Sequence, residues 1–204
     1  MDKFIITTAK KEHLKYVPEI EEAIIKASEV RGTGIAKRSK EYLSEKIIQG
    51  KAIIAIHKDG SFAGFCYVET WGHEKFVANS GLIVMERYRG RKLAYRIKSE
   101  AFRLSRKLFP SAKIFGLTTS LAVMKINSAI GYQPVTFSEL TDDDEFWKGC
   151  QTCAYYDILF RTNRNLCLCT GMLYDPKVQE KKNSFAVKKR NGKKSIKKLI
   201  SNKK

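Results

Sequence analysis

Between residues 84 and 97 the chain reads VMERYRGRKLAYRI. A single glycine, Gly90, stands among Arg87, Arg89, Arg91 and Lys92, just after the apolar run GLIV and just before a pattern of helical period. Strand, basic glycine turn and helix, in that order, can hold an anion. The first turn of a helix leaves backbone N–H groups unpaired and carries partial positive charge, so phosphate binds there readily. Glycine lets the backbone approach the anion with no Cβ in the way. Arg89, Gly90, Arg91, Lys92, Leu93 and Ala94 are therefore candidates to clasp a diphosphate, and the same spacing also fits a plain solvated basic turn.

A second constellation is sulfur. Cys150, Cys153, Cys167 and Cys169 stand in GCQTCAYYDILFRTNRNLCLCTG. Cys-x2-Cys followed by Cys-x-Cys suits a structural zinc ion held by four thiolates. With LCLCTGMLY read as a strand, Cys167 and Cys169 share a face, and a helix end at Cys150 and Cys153 supplies the other pair. The alternative is four buried, reduced thiols. A disulfide framework does not suit a cytosolic chain, and Cys66, inside FCYVE, reads as core.

The elements that must position these residues follow from pattern. KFIITTA is a first strand, PEIEEAIIKASEV a helix with Pro18 in its first turn, and KEYLSEKIIQ a second helix stopped by Gly50. Residues 52–70 form a hairpin about Asp59-Gly60. KFVANSGLIV is a strand, residues 91–109 a long helix ending before Pro110, KIFGLTT a strand, LAVMKINSAI a helix ended by Gly131, and YQPVTF a strand. TDDDEFW is a short helix that Thr141 can cap.

The 204 residues, 43% hydrophobic and 11% aromatic, are enough for one globular domain with a tail. No apolar run approaches the ~20 residues of a membrane helix, and the N-terminal residues lack the order of a secretory signal. A cytoplasmic protein is expected. The formal charge of +18 is uneven: residues 177–204 hold 12 Lys and Arg against one acid, Glu180. So basic a tail is expected to be disordered, and it either contacts nucleic acid or an anionic membrane surface through phosphate or is simply solvated.

LIVMERYRGRKLA resembles motif A of the GCN5-related N-acetyltransferase (GNAT) superfamily, Arg/Gln-x-x-Gly-x-Gly/Ala after the fourth strand. Arg87 and Gly90 match, and Lys92 stands where Gly or Ala is usual. LTTSLAVMKINSAIGYQPV resembles motif B, ending in Gly131-Tyr132. The resemblance implies an α/β (α+β) fold, a mixed sheet of six to seven strands flanked by helices, with residues 1–137 as acyl-CoA-binding core. Residues 138–176 would be a Cys-rich extension with the final strand, and 177–204 the tail. It implies acyl transfer from acetyl-CoA or another short acyl-CoA to an amine by direct attack. Leu82, Ile83 and Val84 would pair with the pantetheine arm, the Val84 N–H would hold the thioester oxygen, and Ser120 would also touch the coenzyme. The base would come from Glu69, His73 or Glu74. Many members have a tyrosine acid where this chain has Asn127, an amide that has no acidic proton; a thiol pKa near ~8.5 makes thiolate departure tolerable without one.

Over residues 4–176 the chain is also similar to bacterial N-acetylglutamate and N-succinylglutamate synthase-like proteins of arginine biosynthesis. That likeness implies glutamate as acceptor, acetyl or succinyl as the group moved, and Arg31, Lys37 and Arg38 as carboxylate grips, with Arg161 and Arg164 as further candidates. Two other functions fit the chain: a protein or peptide N-acetyltransferase docked on nucleic acid by its tail, and an acyl-CoA-binding regulator without turnover.

Overall fold

Ile, Val, Phe and Tyr suit extended backbone because their side chains pack well on a pleated surface, and they recur in the strands that pair into one seven-stranded sheet. The computed structural model describes residues 3–30 and 34–180. Arg31, Gly32 and residues 181–204, which hold most of the basic tail, lie outside the described residues. The strands are β1 (Phe4–Thr8), β2 (Ala52–His57), β3 (Phe62–Trp71), β4 (Phe76–Val84), β5 (Lys113–Thr118), β6 (Gln133–Val135) and β7 (Thr170–Tyr174), in the order β1-β2-β3-β4-β5-β7-β6. β4 and β5 are parallel; the other pairs are antiparallel.

The helices cover both faces because the strands are apolar on both. Ile54 and Phe65 pack with Ile20 and Ile24 of α1 (Val17–Glu29) and Leu43 and Ile47 of α2 (Lys40–Ile48). Their neighbours along the strands, Ile53, Ala55 and Cys66, pack on the other face against Leu93, Ile97 and Ala101 of α3 (Leu93–Leu108). Burying a side chain such as Ile97, 0% exposed, contributes about 1.5–3 kcal/mol. α4 (Leu121–Ile130) ends at Gly131 with φ 109°. Between β6 and β7 lie two short helices, α5 (Asp144–Lys148) and α6 (Tyr156–Arg161), over a cluster containing Phe115, Trp147 and Leu159.

Two local expectations need correction. Asp143, not Thr141, caps α5, accepting from the Glu145 N–H at 3.0 Å. Cys167 and Cys169 precede β7 rather than lying in it, because pairing with β5 and β6 begins only at Thr170 and Gly171. One compact unit runs to Tyr174, and Asp175 begins a second. Among the described residues no helix is long and apolar enough to cross a membrane.

Candidate active site

β4 and β5 share only three rungs, Phe76 with Lys113, Val77 with Ile114 and Ala78 with Phe115. Beyond them β4 stays with β3, and β5 with β7. The strands part. A bulge helps: Phe65 pairs with Ile83 but Tyr67 with Ser80, so three steps of β4 face two of β3. Gly81 sits there with φ 63°, and a Cβ would stand 2.6 Å from the Tyr67 ring. Glycine is required on both counts. The gap opens on a cavity of about 900 Å³ whose wall draws on residues from Ile24 to Cys169.

The mouth of this cavity is the basic turn. Gly90 (φ 77°) and Lys92 (φ 58°) are both left-handed, so Lys92 carries a strain of roughly 1–2 kcal/mol that glycine would not. No side chain caps α3, and its first turn has no acid. Arg89, Gly90, Lys92, Leu93 and Ala94 line the mouth, as do Leu82, Ile83 and Val84; the exposed Arg91 does not. Ser120 caps α4, accepting from the Val123 N–H at 3.4 Å, and also lines the cavity. Asn127 is 1% exposed, stands in the wall, and its Oδ1 has no hydrogen-bond partner. A buried acceptor left unpaired costs about 1–3 kcal/mol, so this one marks a place for a ligand N–H.

Away from that mouth the rest of the wall, here the inner end, includes Arg38. Its Nε donates to the Tyr67 hydroxyl at 2.9 Å, and its Nη1 donates to the carbonyls of Lys37 at 2.8 Å and Gly149 at 3.4 Å. Among the described residues no carboxylate pairs with it. Lys37 is exposed and outside the wall. Arg161 and Arg164 are exposed as well and pair with Asp157 at 3.8 Å and Asp144 at 2.5 Å.

The three expected bases are not brought to the cavity. Glu69 accepts from the Tyr42 hydroxyl at 2.8 Å and pairs with Lys46. His73 and Glu74 occupy left-handed positions (φ 53° and 63°) on the exposed β3–β4 turn. Among the described residues the wall contains no Asp, Glu or His, whereas Arg38, Arg89, Lys92 and Lys98 all line it. A cavity so lined favours an anionic ligand.

The four clustered cysteines line the inner wall as free thiols. Among the described residues no three His, Cys, Asp or Glu side chains gather as metal ligands, so zinc is not supported. Cys167 and Cys169 do not share a strand face, and Cys150, Cys167 and Cys169 pack against the aromatic cluster instead. Burial pushes the Cys150 thiol up to about 11. Lys98, absent from the candidates above, falls on the buried stripe of α3 with Ala101 and Ser105, a spacing legible in the sequence.

No protein-family model and no curated protein matches the chain. Solved structures do. N-acetylglutamate synthase from Neisseria gonorrhoeae, complexed with coenzyme A and N-acetyl-glutamate, is similar with a TM-score of 0.62 at 19% identity over 86% of this chain. This chain spans about a third of that one, 35% of its length. A Mycobacterium tuberculosis protein in complex with CoA is similar with a TM-score of 0.61 at 15% identity, covering 84% of this chain and 98% of the other. A GNAT superfamily phosphinothricin acetyltransferase from Sinorhizobium meliloti, in complex with AcCoA, gives 0.57 at 14% identity, covering 85% and 89%. Identities this low speak to architecture alone, and the architecture of this chain is the GNAT fold.

Proposed function

We propose that the chain is an acyl-CoA-dependent N-acyltransferase that moves an acetyl or other short acyl group to the amine of a small acceptor bound beside the coenzyme. The observation that carries this is the parting of β4 from β5 over a cationic cavity that ends at the uncapped first turn of α3. An acyl-CoA is long, anionic at one end and amide-bearing along its middle. Its diphosphate suits the backbone N–H groups of residues 90–94, with Arg89 and Lys92 beside them. The arm's amides suit the edge of β4 that β5 leaves unpaired, and Asn127 Oδ1 offers one more acceptor. From Val84 back to Asn79 the strand spans about 16 Å, comparable to an extended pantetheine arm. The thioester therefore belongs at the inner half of β4 rather than at Val84, where backbone N–H groups can hold its oxygen as charge develops. With no carboxylate or histidine in the described wall, the acceptor amine arrives neutral or gives its proton to water. Neighbours solved with CoA or AcCoA support the coenzyme.

For the acceptor, Arg38 supports a carboxylate, since a guanidinium with spare N–H groups binds one well. Glutamate is the acceptor to try first, because the synthase neighbour was solved with N-acetyl-glutamate. The second reading rests on Phe146, Tyr155, Tyr156 and Leu159 in the same wall, which favour an amine with one carboxylate and an apolar body. Thiol release from acetyl-CoA and succinyl-CoA, measured with glutamate, glutamine, phenylalanine and a short peptide, separates these. Glutamate turning over fastest supports the first reading and phenylalanine the second. Equal rates with carboxylate-free amines would remove both, and coenzyme binding without turnover would leave a regulator.

A further inference from the structure

Lys98 of α3 is 2% exposed, yet it lines the cavity. Its Nζ donates to the Asn79 carbonyl at 3.0 Å and stands 5.5 Å from the centre of the Tyr132 ring. Asn79 is the first β4 residue past the last rung with β5, so Lys98 meets the sheet at the apex where the strands part. The Asn79 side chain is occupied: Nδ2 donates to Ser105 at 2.7 Å and Oδ1 accepts from the Tyr132 hydroxyl at 2.8 Å. Gly116 completes the apex, and even a Cβ there would stand 3.7 Å from Nζ. Among the described residues no carboxylate pairs with Lys98. The ionisable groups near it are Cys66 of β3 and Tyr132 ahead of β6, with Tyr174 of β7 beyond that tyrosine. An ammonium has three N–H donors and Asn79 takes one. A buried cation without a counter-ion is costly, and core packing alone would be served as well by methionine. What the position gains from lysine is a proton donor in the cavity wall.

We propose that Lys98 is the acid that protonates the departing thiolate of CoA. This rests on the acyltransferase reading above. The acceptor nitrogen bonds to the thioester carbon, and the C–S bond breaks with its electron pair passing to sulfur. The Lys98 ammonium gives that sulfur a proton and becomes a neutral amine. Lys98 then regains a proton from water, and the acceptor nitrogen has released one, so acyl-CoA and amine become amide and free thiol with nothing left over. Five strand steps from Val84 bring the end of the arm to Asn79 and hence to Lys98. Burial disfavours the Lys98 ammonium and holds it below the ordinary lysine range, which makes its proton easier to give. Asn127, in the same wall, has no acidic proton to give.

The test uses CoA itself, bound to the full chain. Thiolate absorbance of the complex is titrated against pH, with the desulfo-CoA complex subtracted to remove the protein's own thiols. In the wild type the bound thiol should ionise at lower pH than free CoA, with about tenfold more thiolate at a given pH. Lys98→Met should return it to the free value or above while calorimetric affinity for CoA stays within a few-fold. With whichever amine is accepted, Lys98→Met should lower kcat by about 10²–10⁴-fold with little change in KM for acetyl-CoA. Lys98→Arg, a charge with no transferable proton, should keep the low thiol ionisation without restoring kcat. Identical titrations in wild type and Lys98→Met would overturn the assignment. So would a wild-type thiol ionising at or above the free value, which needs no variant to fold, or full turnover in Lys98→Arg. Failure of the wild type to bind CoA at all would overturn the acyltransferase reading together with it.

Discussion

The mouth of the cavity is one unbroken piece of chain, whereas its inner end is gathered from stretches as far apart as Ile24 and Cys169. β4, the Gly90 turn and the opening of α3 follow one another within residues 76–98. The mouth works through backbone: N–H groups at a helix start, an unpaired strand edge and a left-handed glycine. The inner end works through side chains, and Arg38 is in place only because Tyr67, Gly149 and Tyr42 come from three other elements to hold it. A site made of backbone can be read locally, and one made of converging side chains needs the fold first.

The sharpest way to break this comparison is at the mouth. Gly90→Asp places a negative charge beside the proposed diphosphate site at φ 77°, where a Cβ meets nothing within 4 Å. The chain should therefore fold, with a strain of roughly 1–2 kcal/mol, while CoA affinity in calorimetry falls by at least about a hundredfold, or ~2.7 kcal/mol. Undiminished binding would show that the turn is only a solvated basic loop.

Arg38→Ala addresses the inner end alone. Removing a charged hydrogen-bonding partner should cost about 1.5–3 kcal/mol, seen as a KM for a carboxylate-bearing acceptor raised roughly 10–150-fold. CoA affinity should not move. Lys37→Ala, at an exposed neighbour outside the wall, should change neither, and an equal effect there would return the loop to being a diffuse cationic patch.

The same contrast explains what the sequence made legible. The β-prone apolar runs AIIAIH and FAGFCYV, the Asp59-Gly60 turn and the glycines at 50, 90 and 131 are local signals, and the sheet and its helices followed from them. Thr141 and Asp143 compete to cap α5 from two residues apart, and only the backbone geometry decides between them. Glu69 has the chemistry of a base, but Lys46, which neutralises it, lies on α2 and is distant in sequence. The cysteine spacing matched a metal site, yet spacing carries no information about where β7 begins. Lys98 was readable in principle: the stripe Lys98–Ala101–Ser105 puts a charge on a buried face.

Gly81→Ala ties the two ends together. The added methyl would stand 2.6 Å from the Tyr67 ring at φ 63°, and overpacking with left-handed strain should lower stability by about 1–3 kcal/mol. Tyr67 also accepts the Arg38 Nε hydrogen bond. The variant should therefore melt earlier and show a modestly raised acceptor KM as well. A lower melting temperature with acceptor KM unchanged would mean that Tyr67 yields without moving Arg38.

The smallest expected effect is one of pH, and it belongs to the inner end alone. Burial pushes the Cys150 thiol up to about 11, with Cys153 adding to the shift and Arg38 opposing it. In the unfolded chain a thiol ionises near ~8.5. The folded state thus keeps its proton over a range where the unfolded state loses one, and ionising stabilises the unfolded state relative to the folded one. This contribution to stability is complete below about pH 8.5 and declines as pH rises from there toward 11. Cys150→Ala should flatten part of that decline in thermal melts taken across the window, leaving melts near pH 7 and CoA affinity almost unchanged. Chelator should not shift the wild-type melt, since Cys150, Cys167 and Cys169 pack against aromatic rings and, among the described residues, no three such side chains gather as metal ligands. A chelator-dependent fall in melting temperature would make the four sulfurs metal ligands after all. The inner end would then be metal-built while the mouth stayed backbone-built.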